Sequence, residues 1–180
     1  MIGVAGRLRV MLLTRHMPLR EAIRQLDGDA IGSHLRLFDE TLRALGMAEP
    51  RLAVAGLNPH AGESGLLGPE DDAIIAPAVQ KLRQEGLLVE GPRSPDTVFL
   101  EAAEGRWDGV LALYHDQAFI PLKLLSKGRG VTLIAGLPFL RVSPVHGTAF
   151  DIAGQGNADA GNLLEALFQA ARWAQTGNWG

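Results

Sequence analysis

The 180-residue chain has no cysteine, an absence that removes disulfides, thiolate metal ligands and thiol nucleophiles together. A cysteine-free sequence fits a reducing compartment, and a cytoplasmic location is the expectation. Positive charge is not in excess either. Seventeen Lys and Arg stand against 20 Asp and Glu, a formal net charge of −3 that gives no electrostatic pull toward nucleic acid or an anionic membrane. No apolar run approaches the roughly 18 residues a membrane-spanning helix needs. Arg7 and Arg9 interrupt the N-terminal MIGVAGRLRVMLL, which therefore does not read as a signal peptide. Low-complexity segments and internal repeats are lacking too. What remains is 47% hydrophobic and 21% charged, with 22 glycines and 10 prolines, the composition of a globular domain with many tight loops.

Three short apolar runs, 9–13, 51–57 and 109–114, read as buried strands, and their continuous hydrophobicity suits a parallel sheet covered on both faces. Between the first two, Ile31, Leu35, Phe38, Leu42 and Leu45 recur by four, three, four and three, one face of an α-helix with Gly46 at its C-terminal end. Pro69 followed by Glu70, Asp71 and Asp72 predicts a second helix start, with carboxylates at the positive end of the dipole. Ile75, Val79 and Leu82 should face inward, and Gly86 should end that helix. A further strand is expected near 131–135 and a last helix over 162–174. Alternating strands and helices predict an α/β layered fold.

Three of the five histidines fall just past predicted strands: His16 after Thr14-Arg15, His60 after Asn58-Pro59, and His115 before Asp116-Gln117. In open parallel sheets the ligand crevice lies at the C-terminal strand ends, so these imidazoles could converge there on zinc or a similar divalent ion. The plainer alternative for any one of them is a loop residue with a satisfied hydrogen bond. Three at the same kind of position share a geometric reason that one does not. His34, at the edge of a helical apolar face, is expected to pack.

TRHMPLR (14–20), GLNPHAGESGLLGPED (56–71), LALYHDQAFIPLK (111–123) and GLPFLRVSPVHGTAFDIAGQGNADAG (136–161) together resemble the 4-hydroxythreonine-4-phosphate dehydrogenase family. The motifs stand in family order over nearly the whole chain. The resemblance implies a layered α/β/α fold of the isocitrate/isopropylmalate dehydrogenase type, and a chain matching only about the C-terminal half of the family. Residues 1–118 would be the metal-binding and dimerisation lobe, and 119–180 a partial cofactor-binding lobe without its N-terminal half. It implies His16, His60 and His115 as ligands of a divalent metal (zinc, magnesium or cobalt) at a homodimer interface, with ligands drawn from both subunits. Lys123 and Arg141 inherit substrate contacts, and two cations suit a phosphate and a carboxylate. The loop 146–161 is similar to one that cradles the adenosine of NAD or NADP, with His146 and Asp151 as hydrogen-bonding candidates. No strand-GxGxxG-helix fingerprint accompanies it. Asp96 matches an acidic position on the active-site side, where proton handling, orientation or the capping of a turn are the alternatives.

Thr132 stands where family members commonly carry asparagine, so a substrate hydrogen bond there would lose the amide's paired donor and acceptor. The implied reaction is oxidation, with decarboxylation, of 4-phosphohydroxy-L-threonine in pyridoxal phosphate biosynthesis. The alternative is a truncated metal-binding, dimerising domain without turnover. Apolar surface that a missing lobe would cover is expected near the last strand and helix.

Overall fold

The strand expected over 9–13 forms as the second arm of an N-terminal hairpin. In the computed structural model, which describes residues 1–176, β1 (Ile2–Ala5) and β2 (Leu8–Leu12) pair antiparallel around a two-residue turn at Gly6-Arg7. Five more strands complete one sheet: β3 (Leu52–Ala55), β4 (Val89–Arg93), β5 (Gly109–Ala112), β6 (Val131–Leu133) and β7 (Val142–Pro144). The order is β4-β3-β5-β2-β1-β6-β7. The pairs β3–β4, β3–β5 and β2–β5 are parallel, whereas β1–β2, β1–β6 and β6–β7 are antiparallel. An all-parallel sheet is therefore not what forms. The reason is the Ala5-Gly6-Arg7-Leu8 turn, which returns the chain at once and so reverses the direction of the next strand.

Among the described residues five of six α-helices cover the two faces. On one face lie α2 (Gly28–Ala44), α3 (Ala76–Gln84) and α6 (Gly161–Thr176); on the other lie α4 (Val98–Ala103) and α5 (His115–Ser126). The short α1 (Leu19–Arg24) sits between β2 and α2. Alternate strand residues feed the two cores. Leu52 and Val54 join Ile31, Leu35, Phe38, Leu42 and Leu82, while Ala53 and Ala55 join Phe99, Ala118, Phe119 and Leu122. Each fully buried Leu, Ile or Phe contributes roughly 1.5–3 kcal/mol.

The expected helical face of α2 is the buried one, and Asp27 caps its start by accepting the Ala30 N–H at 2.9 Å. Gly46, at φ +95°, ends it while the Met47 N–H reaches back to the Leu42 carbonyl at 3.1 Å. The second helix likewise ends before Gly86, and the last spans the expected segment. β4, β7, α1, α4 and α5 were not anticipated; β4 (VEGPR) and β7 (VSP) are edge strands whose charge and proline hide the usual apolar signal. Leu163, Leu164, Leu167 and Phe168 of α6 are exposed, which meets the expectation of apolar surface at that end. Among the described residues no helix is long and apolar enough to cross a membrane.

Candidate active site

β3, β5 and β2 are adjacent and parallel, so their C-terminal ends share one edge of the sheet. From that edge β2 runs out to His16, β3 to His60, and β5 to His115, the first residue of α5. The β2 and β5 ends are tied together: the Leu13 N–H donates to the Ala112 carbonyl at 2.8 Å, and Thr14 Oγ1 donates to the Leu113 carbonyl at 2.7 Å.

That tie brings two histidines face to face. The His16 and His115 ring centroids lie 5.1 Å apart, and His115 stacks on Phe119 at 4.7 Å with an 11° interplanar angle. Both line a hollow of about 270 Å³ with Arg15, Met17, Tyr114 and Asp116. A second hollow, about 570 Å³, shares Arg15, His16 and Met17 with the first and adds Ile134 and Arg141. Arg141 reaches this edge because β6 runs in the same direction as β2, so the segment after β6 emerges beside His16.

His60 does not join that pair. Its Nδ1 faces Glu63 Oε1 at 2.6 Å, on the loop after β3, and among the described residues no three His, Cys, Asp or Glu side chains gather as a metal site. His60, Ala61, Glu63 and Ser64 all adopt left-handed φ values between +44° and +57°, a tight coil on which the imidazole is exposed beside Glu63. Such residues cost of order 1–3 kcal/mol each, and a run of them marks a loop held in place by its surroundings. The hydrogen bond to Glu63, helped by that carboxylate's charge, raises the His60 imidazolium above its ordinary pKa, and Asp96 adds a weaker pull. His115 has a like partner, with Nδ1 at 2.7 Å from Asp116 Oδ1. A carboxylate only accepts, so in both rings Nδ1 carries the proton and Nε2 is the nitrogen left for a ligand.

Asp96, in the turn after β4, accepts a hydrogen bond from Ser94 Oγ at 2.7 Å, which holds its carboxyl below the usual range and keeps it ionised at neutral pH. It lines an apolar groove of about 590 Å³ with Phe99, Tyr114, Ile120 and Leu124. The other sequence-derived candidates lie elsewhere. Lys123 is exposed, about two turns along α5 from His115. Thr132 is buried in the middle of β6 with its hydroxyl engaged by Ser143 Oγ at 3.0 Å. His146 and Asp151 follow β7, which runs opposite to β6, so the chain leaves the sheet there at the edge away from His16. Both are exposed; His146 Nδ1 donates to the Gly147 carbonyl at 2.9 Å. His34 packs, its Nδ1 donating to the Ala30 carbonyl at 2.8 Å.

Two residues of the site were missed. Asp71 lies in the first turn of the helical segment that begins at 70–71 and continues into α3, as expected, but it is fully buried and its carboxylate accepts the backbone N–H of Leu57 at 2.8 Å and of Asn58 at 3.1 Å. The signal was available: Asp71, Ile75, Val79 and Leu82 recur by four, four and three, so Asp71 lies on the inward face. Gln117 is buried as well, joining the Leu113 N–H and the Gly56 carbonyl at 2.7 Å each.

The sequence model of the family described as pyridoxal phosphate biosynthetic protein PdxA matches residues 1–170. The chain is 51% identical over 165 residues to a 4-hydroxythreonine-4-phosphate dehydrogenase of Beijerinckia indica subsp. indica, covering 92% of this chain and 49% of that one. It is 47% identical over 174 residues to a D-threonate 4-phosphate dehydrogenase of Pectobacterium atrosepticum, covering 97% and 53%. The crystal structure of the Klebsiella pneumoniae 4-hydroxythreonine-4-phosphate dehydrogenase superposes with a TM-score of 0.88 at 45% identity, over 97% of this chain and 53% of that one. The chain thus spans about half the length of the curated relatives it matches. With the match running through every segment that builds the histidine edge, the chain belongs to the family of the pyridoxal phosphate biosynthetic protein PdxA.

Proposed function

We propose that this chain supplies the metal-binding and substrate-orienting half of an NAD- or NADP-dependent dehydrogenase that oxidises and decarboxylates 4-phosphohydroxy-L-threonine in pyridoxal phosphate biosynthesis. The observation that carries the reading is the His16–His115 pair, at one edge of parallel strands and in hollows continuous with Arg141, within a chain of this family. The reading takes the fold as the isocitrate/isopropylmalate dehydrogenase type, with residues 1–118 as metal-binding and dimerisation lobe and 119–180 as part of the cofactor lobe.

The donor chemistry fits a divalent ion: two neighbouring imidazoles, with carboxylates on the Nδ1 of His115 and His60. His16 and His115 of one copy, with His60 of a second, would hold zinc, magnesium or cobalt, which makes the working unit a homodimer. When bound, the ion supplies Lewis acidity at the substrate hydroxyl and the nicotinamide supplies the hydride acceptor. The residues of the chain do the orienting. Arg141 offers a bidentate fork to the carboxylate or phosphate, and Lys123 a second positive charge from α5. Asp96, ionised, accepts hydrogen bonds from the substrate side of the groove rather than donating a proton. His146 and Asp151, on the loop after β7, would contact the adenosine of the cofactor. Thr132, whose hydroxyl is used inside the sheet, leaves the substrate bond of the family's asparagine to a neighbour.

A second reading rests on one observation, the coverage of only about half of each relative: a metal-binding, dimerising unit without turnover of its own. The test measures NADH formation at 340 nm with zinc or magnesium, using 4-phosphohydroxy-L-threonine and D-threonate 4-phosphate in parallel. It compares this chain with the same chain joined to the family's N-terminal half. Activity in both supports the enzyme, activity only in the longer chain supports the second reading, and activity in neither overturns the dehydrogenase reading.

A further inference from the structure

We infer that Asp71 and Gln117 form a buried polar clamp on residues 56–58 that sets where each copy presents His60 to the His16–His115 pair of the other, which makes them positioning residues of the metal site. The inference rests on the metal reading of these histidines. Asp71 has no solvent exposure, and its carboxylate is bonded to the start of the His60 loop: Oδ1 accepts the Leu57 N–H at 2.8 Å, and Oδ2 accepts the Asn58 N–H at 3.1 Å and Asn58 Nδ2 at 2.9 Å. From the other side Gln117 Nε2 donates to the Gly56 carbonyl at 2.7 Å while its Oε1 accepts the Leu113 N–H at 2.7 Å, two residues before His115. Three consecutive backbone units are thus gripped by the entry to α3 and by α5.

The fit leaves no slack. A Cβ on Gly56 would lie 2.9 Å from Asp71 Oδ1 and 2.9 Å from the Ala61 Cα, so this position admits only glycine without displacing the carboxylate or the coil. A buried carboxylate is costly unless its oxygens are filled, and here the loop at 57–58 fills both. The left-handed run at His60, Ala61, Glu63 and Ser64 follows directly after the clamped residues. Its persistence requires a fixed anchor, and residues 56–58 are the anchor.

The test uses the full chain with Asp71→Asn, which sets an amide N–H₂ or a single acceptor against three donors, and Gln117→Glu, which removes the donor to Gly56. Asp72→Asn, at the exposed neighbour, is the control. Two readouts are taken: amide hydrogen exchange of the metal-free chain, and Co²⁺ binding followed by its visible absorption. Expected are retained circular dichroism, faster exchange at Leu57, Asn58 and Ala61 with β3 unchanged, and Co²⁺ affinity lower by roughly 10- to 100-fold, with the control unaffected. Unchanged exchange at Leu57 and Asn58, or unchanged Co²⁺ affinity, overturns the clamp. If Asp71→Asn does not fold, Gln117→Glu carries both readouts. If the unsubstituted chain takes up no Co²⁺, the metal reading fails, and the exchange measurement alone decides the clamp.

Discussion

In β3, β5 and β2 the strands point the same way, so each one ends at the same edge, and β2 and β5 bring His16 and His115 together there. In β1, β6 and β7 the direction alternates, and consecutive strand ends fall on opposite edges: Arg141 emerges beside His16, while His146 emerges across the sheet from it. One core nevertheless runs under both halves, since Phe38, Leu52 and Leu111 pack in the same cluster as Ile2, Leu133 and Trp173. Parallel strands concentrate chemistry at a line; antiparallel ones distribute it over two.

The sharpest way to break this comparison is to ask whether the halves unfold as one. Phe38 is fully buried against Gly109, and Phe38→Ala should cost about 3–5 kcal/mol in a single urea transition followed by both fluorescence and circular dichroism. Two separated transitions would mean that the antiparallel half folds independently.

Next in size is His115→Ala, expected to lower Zn²⁺ affinity measured by calorimetry by more than about 100-fold, beyond what an outer-shell change produces. The same substitution at His146 should leave it unchanged, because that histidine leaves from the other edge.

Within the parallel half, Glu101 accepts from Trp107 Nε1 at 2.8 Å and lies near Arg93 and Arg106, all at 3.3 Å or less, which holds its carboxyl below the usual range, with the Trp107 hydrogen bond the largest cause. A depressed folded pKa means stability that is present above the unfolded value and lost as pH falls through the folded one. Glu101→Gln should therefore cost about 1 kcal/mol at neutral pH. Thermal melts of the two proteins should converge on acidification below the ordinary carboxylate range; a gap that persists there would contradict the assignment.

The smallest effect belongs to the far end. Phe168→Ser on the exposed face of α6 should change stability by no more than about 0.5 kcal/mol while reducing self-association on size-exclusion chromatography.

Much of this was legible beforehand. The spacing of Ile31 to Leu42 located α2 and its buried face, and the histidines after apolar runs marked the sheet edge where His16 and His115 meet, because periodicity and strand-end position are local properties. The hairpin at Gly6 was not read from the sequence, nor were the edge strands β4 and β7, whose pairing comes from neighbours rather than from their own composition. The helix start after Pro69 was legible, but the inward role of Asp71 was not, because only burial separates the one acid of the three that turns to the loop at 57–58.

By itself the sequence determined which side chains carry metal- or anion-binding chemistry, that α2, α3 and α6 would be helical, and which family the chain resembles; each of these is carried by residue type and short-range spacing. Only the tertiary structure decided that His16 meets His115 while His60 stands apart on a left-handed coil, and that Thr132 is used inside the sheet. Those outcomes depend on strand direction and on hydrogen bonds between residues far apart along the chain, and no local pattern encodes them.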